Sequence, residues 1–197
     1  MVGFTRAADP MEAEDLAALW NECLSEMAAI ADCHRATVNQ FVGDGIIAFF
    51  GAPDATEGRD HALRGVRMAL EMRRRMLELG AKWFAGGIQT PLGIRIGINA
   101  GVSSVGDFGS EGHTLYSAIG TQTNLAARIQ DHCEPGRVAH QPHDLGTGEG
   151  RDPLPGARRD RVQGPARSGA GLRGDGWDVS SQRRRRDRWT PIAEVFV

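Results

Sequence analysis

The stretch Val38-Asn-Gln-Phe-Val-Gly-Asp-Gly-Ile-Ile-Ala-Phe-Phe-Gly-Ala-Pro53 decides the fold. Two runs rich in β-branched and aromatic residues, 37–42 and 46–50, flank Gly43-Asp44-Gly45. That pattern predicts a β-hairpin with Asp44 at its tip. Gly51 and Pro53 close the second run, because neither continues a strand ladder readily.

Upstream of the hairpin, Leu16, Leu19, Trp20, Cys23, Leu24, Met27 and Ile30 recur at helical steps, predicting an amphipathic helix from about Asp9-Pro10 to Cys33. Downstream, Ala62, Val66, Ala69, Leu70, Met76 and Leu77 predict a second helix from about Glu57 to Leu79. Leu92 to Ile98 alternates like a strand and Gly101 to Val105 continues it. Gly106-Asp-Phe-Gly109 should break the pattern before a further strand at 114–119. Thr121 then opens a helix carrying Asn124 and Arg128. This order suits an α+β domain with helices covering one face of a mainly antiparallel sheet, and a ferredoxin-like core fits it.

A chain of 197 residues has room for one ordinary domain plus a tail. The formal charge of −2 hides a split, acidic to residue 140 and basic from 141 to 190. The balance argues against a protein built overall for nucleic acid or anionic membranes. Three cysteines, Cys23, Cys33 and Cys133, are spaced too irregularly for a disulfide framework or a zinc site, and read as buried free thiols in reducing cytosol. No apolar run approaches the roughly 20 residues of a membrane span, so the expectation is a soluble, cytoplasmic chain. Residues 141–190 are dominated by Arg, Gly, Pro and Asp without either period, a composition that cannot bury a core.

The hairpin segment resembles the class III adenylate/guanylate cyclase catalytic domain of bacterial type, whose second strand pair carries a metal-binding Gly-Asp. Three further segments match in order: Val2-Gly-Phe-Thr5, Ile94-Arg-Ile-Gly-Ile-Asn-Ala-Gly101 and Tyr116-Ser-Ala-Ile-Gly-Thr-Gln-Thr-Asn-Leu-Ala-Ala-Arg128. An aspartate in a turn is ordinary by itself; an isolated turn does not predict its neighbours in register. The resemblance implies a ferredoxin-like βαββαβ core over residues 1–138, incomplete because the first strand is missing. Residues 139–197 are then an Arg/Gly/Pro-rich tail, disordered or frame-shifted.

By that resemblance the chain is a nucleotide cyclase. It would convert ATP, with GTP as the alternative, to a 3′,5′-cyclic nucleotide and pyrophosphate by two-metal catalysis with Mg²⁺ or Mn²⁺ at a dimer interface. Asp44 matches the second metal aspartate, a hard oxygen ligand on a hairpin tip. The first would stand immediately before Met1, and a start assigned too late is the economical account of its absence. Asn124 and Arg128, four apart and so on one helix face, match the residues that orient ribose and stabilise the transition state. Ala126 and Ala127 between them would leave packing room for a dimer-interface helix. Gly3, Phe4 and Thr5 match the phosphate-cradling turn. Gln40 and Ser117 fall at the base-selecting positions, with Ser117 favouring adenine and the Gln40 amide able to face either purine.

The implied partner is a second copy of the chain or an intact cyclase that would take Asn124 and Arg128 from this one. Competing readings are a catalytically inactive cyclase-fold fragment or pseudoenzyme subunit, and nucleic-acid binding through the arginines at 183–186. No specific nucleic acid is expected, because a basic run in featureless sequence is more often a solvated tail.

Overall fold

The computed structural model describes residues 1–55, 60–140, 157–158 and 188–197. Its elements in chain order are α1 (Phe4–Ala8), α2 (Ala13–Cys33), β1 (Thr37–Val42), β2 (Gly45–Phe50), α3 (Asp60–Ala85), β3 (Ile96–Ser110), β4 (His113–Ile119), α4 (Thr121–His132), β5 (Val138–His140), β6 (Ala157–Arg158) and β7 (Arg188–Phe196). The sheet runs β1-β2-β7-β3-β5-β6, with β4 pairing β3 beside this path. All pairings are antiparallel except β3 with β5 and β5 with β6.

The hairpin expected at 37–50 forms, closed by the pair Val42 and Gly45. Gly43 adopts φ +55, which suits glycine as the first residue of a two-residue turn. The helix of 9–33 forms as α2, starting at Ala13, with the short α1 before it. Glu14 and Asp15 in the first turn of α2 complement its dipole. Its end is stopped by Arg35 at φ 58, and the Ala36 N–H bonds back to Ala31 O at 2.9 Å, the closure typical of a left-handed helix stop. The second expected helix forms as α3 and runs on to Ala85.

Three expectations need correction. Gly106 to Gly109 do not break the strand. They lie within β3, Gly106 opposite Ser117 and Gly109 opposite Thr114, and the reversal comes after Ser110. Glycine extends as readily as it turns, so pairing with β4 decides the conformation.

Nor do the helices cover one face. Ile46, Ala48, Phe50, Ile96, Ile98, Val195 and Val197 pack beneath α2 and α3, through Leu19, Met27, Met72 and Leu79 among others. The alternate residues of the same strands point the other way, towards α4, whose Ile129 packs with Cys133 and Ala139.

The third correction concerns the C-terminus. Residues 141–156 and 159–187, including the arginines at 183–186, lie outside the described residues. The last ten residues are not a tail: β7 enters the middle of the sheet between β2 and β3. Ile192, Ala193 and Val195 are fully buried there. The composition of 141–190 misled because it was extended to Pro191-Ile-Ala-Glu-Val-Phe-Val197, whose near-continuous apolar run is that of a strand buried on both faces. Burying one Ile or Val side chain stabilises by about 1.5–3 kcal/mol, so β7 contributes heavily to a domain of ordinary stability.

Of the thiols, Cys23 and Cys133 are buried as expected and Cys33 is exposed. Burial pushes the Cys23 thiol up to about 11. Among the described residues, no helix is long and apolar enough to cross a membrane.

Removing residues 188–197 should leave Ile47 to Phe50 and Gly97 to Val105 without their shared neighbour. The expected outcome is loss of the cooperative thermal transition, followed by circular dichroism.

Candidate active site

Asp44 sits at the turn between β1 and β2, its side chain 44% exposed. The Met1 amino nitrogen donates to Asp44 Oδ2 at 2.6 Å and to its carbonyl oxygen at 2.9 Å. The following residues are held by a two-way backbone bridge: Val2 N–H to Gly93 O at 2.7 Å and Gly93 N–H to Val2 O at 3.2 Å. Gly3 then turns the chain into α1 at φ +82, and a β-carbon there would lie 2.5 Å from Pro91 O. Only glycine suits both the conformation and the space. Residues 1–6, Thr90 and Pro91 line an open hollow of about 410 Å³.

The end of β7 joins the same corner. Val197 exchanges backbone hydrogen bonds with Ile46, at 3.0 and 3.2 Å. Three stretches distant in sequence therefore meet at the hairpin tip through Met1, residues 44–46 and Val197. Gly3, Phe4 and Thr5 follow Met1 by two to four residues and line the hollow beside Pro91, a lining that does not include Asp44.

The remaining predicted residues lie elsewhere. Gln40 is exposed on β1 opposite Ile47. Ser117 is half-buried on β4, its hydroxyl donating at 3.5 Å to Ala118 O. Asn124 and Arg128 share an exposed face of α4. Among the described residues, no hydrogen bond or ion pair connects them to Asp44 or to each other.

Ala126 corrects part of the sequence reading. It is buried against its own sheet, where Gly97 lies so close that a β-carbon would come within 2.4 Å of both Ala126 O and Gln130 N. The small residue at 126 serves contact within the chain, and this close seating of α4 on β3 holds Asn124 and Arg128 outward.

Sequence reasoning missed a buried polar group beneath α4. Glu194 of β7 is 1% exposed, flanked in the sheet by Phe49 and Asn99. Thr123 Oγ1 donates to Glu194 Oε1 at 2.8 Å. Asn99 Nδ2 donates to Gln122 Oε1 at 2.7 Å and to Gln122 O at 3.2 Å. The signal available was one glutamate at an inward-facing position of an otherwise apolar run.

For a divalent cation, the donor chemistry at the hairpin tip is one carboxylate. Among the described residues, no group of three or more His, Cys, Asp or Glu side chains could hold a metal. The tip does not form an all-protein cage. A partly exposed carboxylate does fit Mg²⁺, which commonly takes one or two protein carboxylates and completes its shell with water and substrate phosphates.

Gly97→Ala should drive α4 off the sheet. The expected cost is about 3 kcal/mol, at the upper end for overpacking because backbone atoms receive the clash. The shift in urea midpoint measures it.

Comparison with known proteins bears on the family and the fold. Residues 1–147 match the model of the adenylate and guanylate cyclase catalytic domain. Adenylate cyclase 1 of Rhizobium meliloti is 28% identical over 127 residues, 64% of this chain and 19% of its own length. The chain thus spans about a fifth of the curated relatives it matches, 19% to 22%. The crystal structure of the adenylyl cyclase CyaB from P. aeruginosa superposes with a TM-score of 0.71 at 38% identity, covering 73% of this chain and 74% of that one. The guanylyl cyclase Cya2 superposes with a TM-score of 0.73 at 28% identity, over 99% and 87% respectively. On the strength of the match over residues 1–147, the chain belongs to the adenylate and guanylate cyclase catalytic domain family, of class III.

Proposed function

We propose that this domain converts ATP, with GTP as the alternative, to a 3′,5′-cyclic nucleotide and pyrophosphate at an interface between two cyclase domains in the cytoplasm. The observation that carries the reading is the bond from the Met1 nitrogen to Asp44, two residues ahead of the Gly3–Phe4–Thr5 turn, in a chain of this family. In the reaction the ribose 3′-oxygen attacks the α-phosphorus, its proton is lost, and the bond to the β-phosphate oxygen breaks.

Mg²⁺ or Mn²⁺ bound at Asp44 would supply positive charge to the triphosphate and lower the pKa of the 3′-hydroxyl. Asp44 would hold that ion at the hairpin tip. Gly3, Phe4 and Thr5 would offer backbone N–H groups to the β- and γ-phosphates. Asn124 would orient the ribose. Arg128 would neutralise charge that develops on the phosphoryl oxygens, the kind of interaction worth most in the transition state. Gln40 and Ser117 would read the purine edge, with the Ser117 hydroxyl favouring adenine.

Exposure of Asn124 and Arg128, away from Asp44, supports their service to a second chain. Exposed apolar side chains support it too: Phe41 and Val42 on β1 and Leu115 and Ile119 on β4 lie open on the elements that carry Gln40 and Ser117. The Met1 nitrogen lies 2.6 Å from Asp44 Oδ2. An aspartate joined to that nitrogen would have its backbone at the hairpin tip, and two-metal chemistry uses a second carboxylate. A second reading rests on the exposure of Asn124 and Arg128: the chain lends them to an intact cyclase and turns over nothing by itself.

Cyclic-nucleotide production with Mn²⁺ and ATP or GTP tests both. With an aspartate joined before Met1 the domain should be active. Asp44→Ala should abolish that activity, and Arg128→Ala should lower it about 10²–10³-fold. Mixing the two variants should restore part of it, because one interface then holds an intact set. Activity only on mixing with an intact cyclase would select the second reading, and none under any condition would end the catalytic one.

A further inference from the structure

We propose that Glu194 is a positioning residue: its buried carboxyl ties β7 to the first turn of α4, and a proton on that carboxyl keeps the two docked. The consequence for catalysis, through Asn124 and Arg128 on the same helix, rests on the proposed cyclase reading. The docking itself rests on geometry.

Glu194 lies at the centre of the sheet, between Phe49 of β2 and Asn99 of β3. Oε1 accepts from Thr123 of α4 at 2.8 Å. Oε2 is buried and meets no hydrogen-bond partner among the described residues, and neither does the buried hydroxyl of Ser103 nearby. An ionised carboxylate in this place would keep one hydrogen bond where water gave it several. A proton on Oε2 removes the charge.

Burial pushes the Glu194 carboxyl up to about 7, and the Thr123 hydroxyl, which donates to it at 2.8 Å, offsets this only in part. Among the described residues, no charged group contributes from an element packed against it. β2 presents Phe49, and β3 presents Asn99 and Ser103. The titratable side chains of α4, Arg128, Asp131 and His132, are exposed, and Tyr116 of β4 lies tilted against Phe49 with ring centroids 6.2 Å apart.

The direction of the pH effect follows. The folded carboxyl binds its proton more tightly than the unfolded one, whose ordinary value is 4.5. Docking is therefore strongest in acid, weakens between about 4.5 and about 7, and levels off above.

Hydrogen exchange of the α4 amides in the purified chain, corrected for the intrinsic rate and followed from pH 5 to 8.5, reads this docking without reference to turnover. Protection should fall by up to about tenfold per pH unit to near pH 7 and then level off. Glu194→Gln should hold protection flat across the range. Thr123→Val, which removes a hydroxyl favouring the ionised form, should move the levelling-off to higher pH. A flat wild-type profile would overturn the proposal, as would a Glu194→Gln profile that keeps the wild-type slope. Should the expected profiles accompany a chain without cyclase activity, the docking stands and the catalytic reading alone fails.

Discussion

Everything else in this domain depends on β7 lying between β2 and β3. An isolated hairpin is marginally stable in water, and the hairpin that presents Asp44 gains its inner neighbour from the last residues of the chain. The other side of β7 is paired along β3 from Gly97 to Val105. Its alternate side chains serve both layers, Val195 and Val197 under α2 and α3, Ile192 and Glu194 on the side of α4. A strand buried on both faces and paired on both edges holds the two halves of the domain together.

The candidate site inherits its geometry from that strand. The hairpin tip is pinned from one side by the Met1 nitrogen and from the other by the pair Val197 and Ile46. Seating of α4 on Gly97, with the Thr123 bond to Glu194, sets which face of the helix is outward. Asp44 and the pair Asn124 and Arg128 are thus placed by one strand, with no hydrogen bond or ion pair joining them among the described residues.

Much of this was legible in the residues. The hairpin at 37–50, α2, α3 and α4 follow from local periodicity and turn chemistry, and four motif segments in register pointed to the family. What was not legible was non-local. Pairing with β4 overrides the turn preference of Gly106 and Gly109. The position of α4 on the second face depends on a glycine surface at 97 that reads, in one dimension, only as a weak strand. The short apolar run at 191–197 follows a long polar stretch, and nothing local says which two strands it joins. Glu194 resembled a surface charge until its neighbours on β3 and α4 were known.

Backbone NOEs of the labelled chain test the central placement most directly. Val195 faces Ala48 on one side and Ile98 on the other. Cross-strand contacts from 193–196 to both 47–50 and 97–100 are expected. Contacts to only one of these strands, or direct pairing of β2 with β3, would contradict the account.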